Sequence, residues 1–119
     1  MNGVEAVRWP SFDDAVQRLK RKYPHVEEDL QKALAQWAAP RALPSFEGKL
    51  WKLRAASRDQ SRGKSGGFRI ICYLDQTTDP LRVFLLTIYA KSDREDIPIP
   101  ELLQLYSRFL SFLGEQRKD

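Results

Sequence analysis

An α+β domain, with helices laid against a mainly antiparallel sheet, is predicted by two observations. Apolar residues recur at helical spacing early in the chain and again near its end, while the stretch between shows strand periodicity. At 119 residues the chain can bury one modest core, and no repeat or long linker divides it. Residues 1–119 therefore read as a single domain of order β-α-α-β-β-β-α.

Val4 to Trp9 reads as a first strand, ended by Pro10. Ser11 then stands where an N-cap is expected, with Asp14 three residues on to favour the helix start. Phe12, Ala15, Val16, Leu19 and Tyr23 form the apolar face of that helix, and Pro24 stops it. A second helix opens at Pro24. Glu27, Glu28 and Asp29 in its first turn suit the helix dipole, and Val26, Leu30, Ala33, Leu34 and Trp37 form its stripe. The two helices predict an antiparallel hairpin, with His25 as a solvated residue at their junction, and Pro40 and Pro44 bracket the loop that follows.

From Leu50 the period becomes two. Trp51, Leu53 and Ala55 share one face, and Leu50, Lys52 and Arg54 the other. In the next strand Phe68, Ile70, Cys72 and Leu74 face one way, with Arg69, Ile71 and Tyr73 opposite. Arg82 to Tyr89 is apolar on both sides, as a covered central strand is. The last helix begins near Pro98 or Pro100 and carries Leu102, Leu103, Tyr106, Phe109, Leu110 and Leu113. With all helices on one side, the other side of the sheet would present Lys52, Arg54, Arg69 and Tyr73.

The apolar fraction of 42%, with three Trp and six Phe, argues for a folded globule. Cys72 is the single cysteine and lies in an apolar run, so a buried thiol in a reducing cytoplasm is expected. The opening residues lack a secretory signal pattern, and the longest apolar stretch falls far short of the ~20 residues of a membrane helix. One histidine and scattered acids give no metal-ligand spacing, and no cofactor is implied. Asp93, Glu95 and Asp96 read as a solvated cap for the last helix. Gly63-Lys64-Ser65 resembles part of a phosphate loop, but Arg58 stands where its first glycine belongs and the segment joins two strands. Gly66 and Gly67 are better explained as turn residues.

Charge carries the functional signal. Residues 49–73 hold Lys49, Lys52, Arg54, Arg58, Arg62, Lys64 and Arg69 against one acid, Asp59. The rest of the chain has thirteen cations and fifteen acids, so the whole net charge of +4, and more, sits in this element. Such concentration points to a polyanion. Lys52, Arg54 and Arg69 share a sheet face and can grip a phosphodiester, with Lys91 near them at the end of the next strand. RNA brings its own nucleophile, the 2′-hydroxyl, so cleavage needs alignment, a proton acceptor and a proton donor. Arginine keeps its proton, with a pKa above ~12. Lysine, ordinarily ~10.4, can act as base where neighbouring cations lower it, which makes Lys52 the candidate base. Lys91 would be a clamp or proton donor. Arg58, Arg62 and Lys64 on the loop would guide the RNA backbone, with Lys49, Tyr73 and Arg94 as further RNA contacts.

Leu50-Trp-Lys-Leu-Arg54, Gly63-Lys-Ser-Gly-Gly-Phe-Arg-Ile-Ile-Cys-Tyr73 and Leu86-Thr-Ile-Tyr-Ala-Lys-Ser-Asp-Arg-Glu-Asp96, in that order, resemble the RelE/HigB superfamily of toxins from toxin–antitoxin systems. The resemblance covers about residues 49 to 110. It implies a RelE-like fold and a metal-independent, ribosome-dependent mRNA endoribonuclease that inhibits translation, with Lys52, Arg54, Arg69 and Lys91 at its site. Ser92 stands where RelE has an arginine after the lysine, and Ile97-Pro98-Ile99-Pro100 fills the region of its C-terminal tyrosine, while the longer Gly63-Lys-Ser-Gly-Gly67 loop resembles the HigB-like branch more closely. The implied partners are mRNA, the ribosome and a cognate antitoxin of helix-turn-helix type. The same fold also hosts ParE-like gyrase inhibitors, and an inactive RNA-binding relative is a further alternative.

Overall fold

A computed structural model describes residues 4–37, 40–60 and 66–116. Its elements run β1 (Val4–Arg8), α1 (Pro10–Lys20), α2 (Val26–Gln36), β2 (Arg41–Ala42), β3 (Leu50–Ala55), β4 (Phe68–Asp75), β5 (Leu81–Ala90) and α3 (Ile99–Gln116). The five strands form one sheet of order β1-β5-β4-β3-β2. Every pairing is antiparallel except that of β1 with β5. The α+β class is as expected, with one addition: the two-residue β2 pairs with β3 through Arg41 opposite Lys52 and Ala42 opposite Trp51. Two residues are too few to show a period, so β2 leaves no mark in the sequence.

The helices do not share one side. α1 and α2 cover one face through Phe12, Val16, Val26 and Leu30, which pack on Leu53, Phe68, Ile70, Cys72, Val83 and Leu85. α3 lies on the other face, where Leu102 and Phe109 meet Leu50, Ile71, Phe84 and Leu86. Phe109 is fully buried and its ring touches those of Trp9, Tyr73 and Phe84. Helical periodicity shows that α3 has an apolar stripe but not which sheet face receives it. β4 and β5, apolar on both sides, thus lie between two helical layers.

Local chemistry also departs from expectation at two helix starts. Pro10 is itself the first helical residue and Trp9 the N-cap, because proline's fixed φ suits that position and its missing N–H is no loss there. Ser11, within the first turn, donates from Oγ to the Leu86 carbonyl oxygen at 2.6 Å. That carbonyl belongs to an irregularity in β5: Ile71 pairs with Thr87 but Cys72 with Leu85, so Leu86 is an extra residue. His25 is half-buried, not a free loop residue. Its backbone N–H and ring Nδ1 both meet the Asp59 carboxylate, at 2.8 and 2.7 Å, and these bonds hold the Asp59 carboxyl below its ordinary range. The backbone N–H of Arg58 donates to the buried Asp29 at 2.9 Å. The root of the basic loop is therefore fastened to the start of α2.

Cys72 is fully buried, and desolvation pushes its thiol up to about 12. A thiolate-directed reagent is expected to leave Cys72 unmodified in the native protein and to react fully in denaturant. Rapid labelling of the native protein, followed by absorbance or mass, would contradict the packing of β4 against α1 and α2. Among the described residues no helix is long and apolar enough to cross a membrane.

Candidate functional site

The strand alternation of β3 and β4 places Lys52, Arg54 and Arg69 on the α3 side of the sheet, where α3 leaves one end uncovered. There an open cleft of about 650 Å³ is lined by Arg41, Ala42, Leu43, Pro44, Lys52, Arg54, Arg69, Lys91 and Asp96. The four residues expected to carry chemistry thus line one space. Among the described residues that line it, Arg41, supplied by the unforeseen β2, adds a fifth cation, and Asp96 is the only acid.

Arg69 is the unusual member. It is 5% exposed and stands directly opposite Arg54 in the β3–β4 ladder. Its Nη1 donates to the carbonyl oxygens of Gly66 and Phe68, at 3.0 and 3.3 Å. Among the described residues neither arginine contacts a carboxylate. Burial first, and Arg54 second, push the Arg69 guanidinium below its ordinary value. Like charges held opposite one another in a sheet, one of them buried, destabilise the fold. An anion between them would relieve both penalties.

Lys52 contacts Asp96, with Nζ to Oδ1 at 3.1 Å. The cations expected around Lys52 are present, but so is this carboxylate, which the sequence did not disclose. Asp96 also accepts from the Ile97 backbone N–H at 2.9 Å and from the Tyr89 hydroxyl at 3.4 Å. Burial works to raise its carboxyl, but the Ile97 amide and Lys52 outweigh it and hold the group below its ordinary range. Tyr89, opposite Arg69 in the β4–β5 ladder, is buried, which raises its hydroxyl above the usual tyrosine value. Lys91 is held in place at both ends. Its backbone N–H donates to the Gly67 carbonyl at 3.0 Å and its Nζ to the Glu95 carbonyl at 2.9 Å.

The residues expected to make further RNA contacts are scattered. Arg94 is turned away from the cleft, bound through its guanidinium to Glu101 and, from Nε, to the Asp96 carbonyl oxygen at 3.1 Å. It braces the start of α3. Arg58 is exposed and pairs with Glu28 at 2.9 Å. Lys49 and Tyr73 line a different cavity of about 660 Å³, with Trp51, Glu47 and Asp75. Two acids against one lysine give that cavity the wrong sign for a polyanion, and Tyr73 spends its ring on Phe84 and Phe109. Arg62 and Lys64 lie outside the described residues.

Tyr89 and Asp96 were missed as site residues. Tyr89 sits in an apolar run, and Asp96 reads with Asp93 and Glu95 as a cap. Asp93 instead meets Lys22 Nζ at 2.5 Å and the Tyr23 hydroxyl at 3.1 Å, and Asp96 turns to Lys52. The only linear signal is that both fall within the segment from Leu86 to Asp96. No protein-family model matches the chain. Among the described residues no group of three or more His, Cys, Asp or Glu is placed to hold a metal ion.

Proposed function

We propose that this protein is a RelE/HigB-like toxin, a metal-independent endoribonuclease that cuts mRNA on the ribosome and so arrests translation, and that a small antitoxin neutralises it in the cytoplasm. The observation that supports this best is the Arg54–Arg69 pair, two arginines opposite one another in the β3–β4 ladder with no carboxylate contact among the described residues, in a cleft with Arg41, Lys52 and Lys91. Such a site suits a phosphodiester, whose charge grows as phosphorus becomes five-coordinate. The RNA supplies its 2′-hydroxyl as nucleophile, and the protein aligns it and moves two protons. The exposed cations would equally suit an acidic antitoxin segment laid across the cleft.

The chemistry fixes the products. Attack by the 2′-oxygen leaves a 2′,3′-cyclic phosphate and a 5′-hydroxyl, whereas a hydrolase that activates water gives other ends. Purified protein added to ribosomes programmed with mRNA is expected to yield fragments with 5′-hydroxyl ends, which a kinase labels without prior phosphatase treatment. Intact mRNA sinks the proposal. Intact mRNA together with a DNA-damage response in cells would instead favour the gyrase-inhibitor reading.

A further inference from the structure

Proton transfer in the cleft needs an acceptor, and its lining groups leave little choice. Arg41, Arg54 and Arg69 keep their protons, and Lys52 and Lys91 are engaged as donors to Asp96 and to the Glu95 carbonyl. Among the described residues Asp96 is the one acidic side chain in the lining, half a hydrogen-bonded pair with Lys52 and steadied by Tyr89. Its side chain is 66% exposed and that of Lys52 24%, so Asp96 stands toward the mouth and Lys52 deeper.

We propose that Asp96 is the proton acceptor of the reaction and Lys52 the donor, and that RNA starts the cycle by separating them. This rests on the ribonuclease reading above. As the phosphodiester settles on Arg54 and Arg69, Lys52 leaves Asp96 for the 5′-oxygen. The loss of one of the contacts that lower its carboxyl makes Asp96 a better base. Asp96 takes the proton of the 2′-hydroxyl, the 2′-oxygen forms its bond to phosphorus, and the bond from phosphorus to the 5′-oxygen breaks. The Lys52 ammonium gives its proton to that leaving oxygen. When the products depart, Asp96 and Lys52 meet again at 3.1 Å and the proton passes back, restoring both groups without any co-reactant.

In the resting protein Asp96 therefore competes with RNA for Lys52, and this gives the proposal a distinctive test. Steady-state cutting of mRNA on programmed ribosomes would be measured for wild type and Asp96→Asn. The variant is expected to lower KM several-fold, because an opposing charge has gone. It should also lower kcat about a hundredfold or more, because the acceptor has gone. Asp96→Glu should recover part of kcat. Lys52→Arg, which keeps the charge but holds its proton, should leave KM near wild type and depress kcat, so it carries the test if Asp96→Asn fails to fold by circular dichroism. A kcat for Asp96→Asn within about twofold of wild type, or a KM that is unchanged or higher, overturns the proposal. Failure of the ribonuclease reading looks different: the wild type itself is inert and no variant differs from it.

Discussion

On the proposed ribonuclease reading, Arg69→Ala is expected to slow mRNA cutting at least about a hundredfold, the scale seen when one preorganised donor to a developing oxyanion is removed. It should do so without loss of fold. Ordinarily, removing a buried charged residue strands its partner. Arg69 has no carboxylate partner among the described residues, and its neighbour Arg54 repels it. A base whose folded-state pKa lies below its ordinary value is charged at a penalty in the fold. For arginine that penalty applies at every accessible pH, since it begins to fall only as pH rises past the lowered value and is gone only above the ordinary one. Arg69→Met, which keeps an unbranched apolar stem but gives up the bonds to the Gly66 and Phe68 carbonyls, should therefore melt close to wild type while being equally inactive. Parallel thermal melts and cutting assays check both halves. An active Arg69→Met, or one that melts well below wild type, would show that the guanidinium serves packing and not an anion.

The second large effect concerns Gly67. Its φ of +84° is left-handed, and a Cβ there would lie 2.6 Å from the Ala55 carbonyl oxygen. Backbone cannot swing aside as a side chain can. Gly67→Ala is expected to destabilise by about 3 kcal/mol or more: roughly 1–2 for the left-handed conformation and the remainder from the clash. Gly48 is the natural control, since its φ is +71° but a Cβ would meet nothing within 4 Å. Gly48→Ala should show the conformational part alone. Equal shifts in urea midpoint for the two variants would remove close approach as the explanation. Gly67 also accepts from the Lys91 backbone N–H and donates to Gln60 Oε1 at 2.9 Å, so the same substitution should loosen the cleft and reduce cutting.

Much of this arrangement is legible in the chain because strand alternation is a short-range rule. Leu50–Ala55 and Phe68–Asp75 declare their faces residue by residue, and that is enough to bring Lys52, Arg54 and Arg69 together. What the sequence withholds is tertiary choice. The stripe of α3 would satisfy either face of the sheet, and only packing against Phe84 and Leu86 decides. Asp96 looks like any acid before a helix until the β5–α3 connection carries it to Lys52. His25 looks solvated until Asp59, far along the chain, reaches its backbone and its ring.

The extra residue at Leu86 has a consequence for the cleft. A strand delivers its side chains in two-beat alternation, and one inserted residue puts everything beyond it half a cycle out of step. Before the insertion the even-numbered Phe84 and Leu86 point toward α3; beyond it the odd-numbered Tyr89 does, while Ile88 turns to α1 and α2. In an unbroken ladder Ile88 would take the place beside Asp96, and the tyrosine hydroxyl would be driven into an apolar layer. The phase of the cleft's polar wall is thus set by a backbone irregularity whose spare carbonyl is answered by Ser11, a residue on the far side of the sheet. A hydroxyl in the first turn of the first helix belongs, in this sense, to a cleft it never touches.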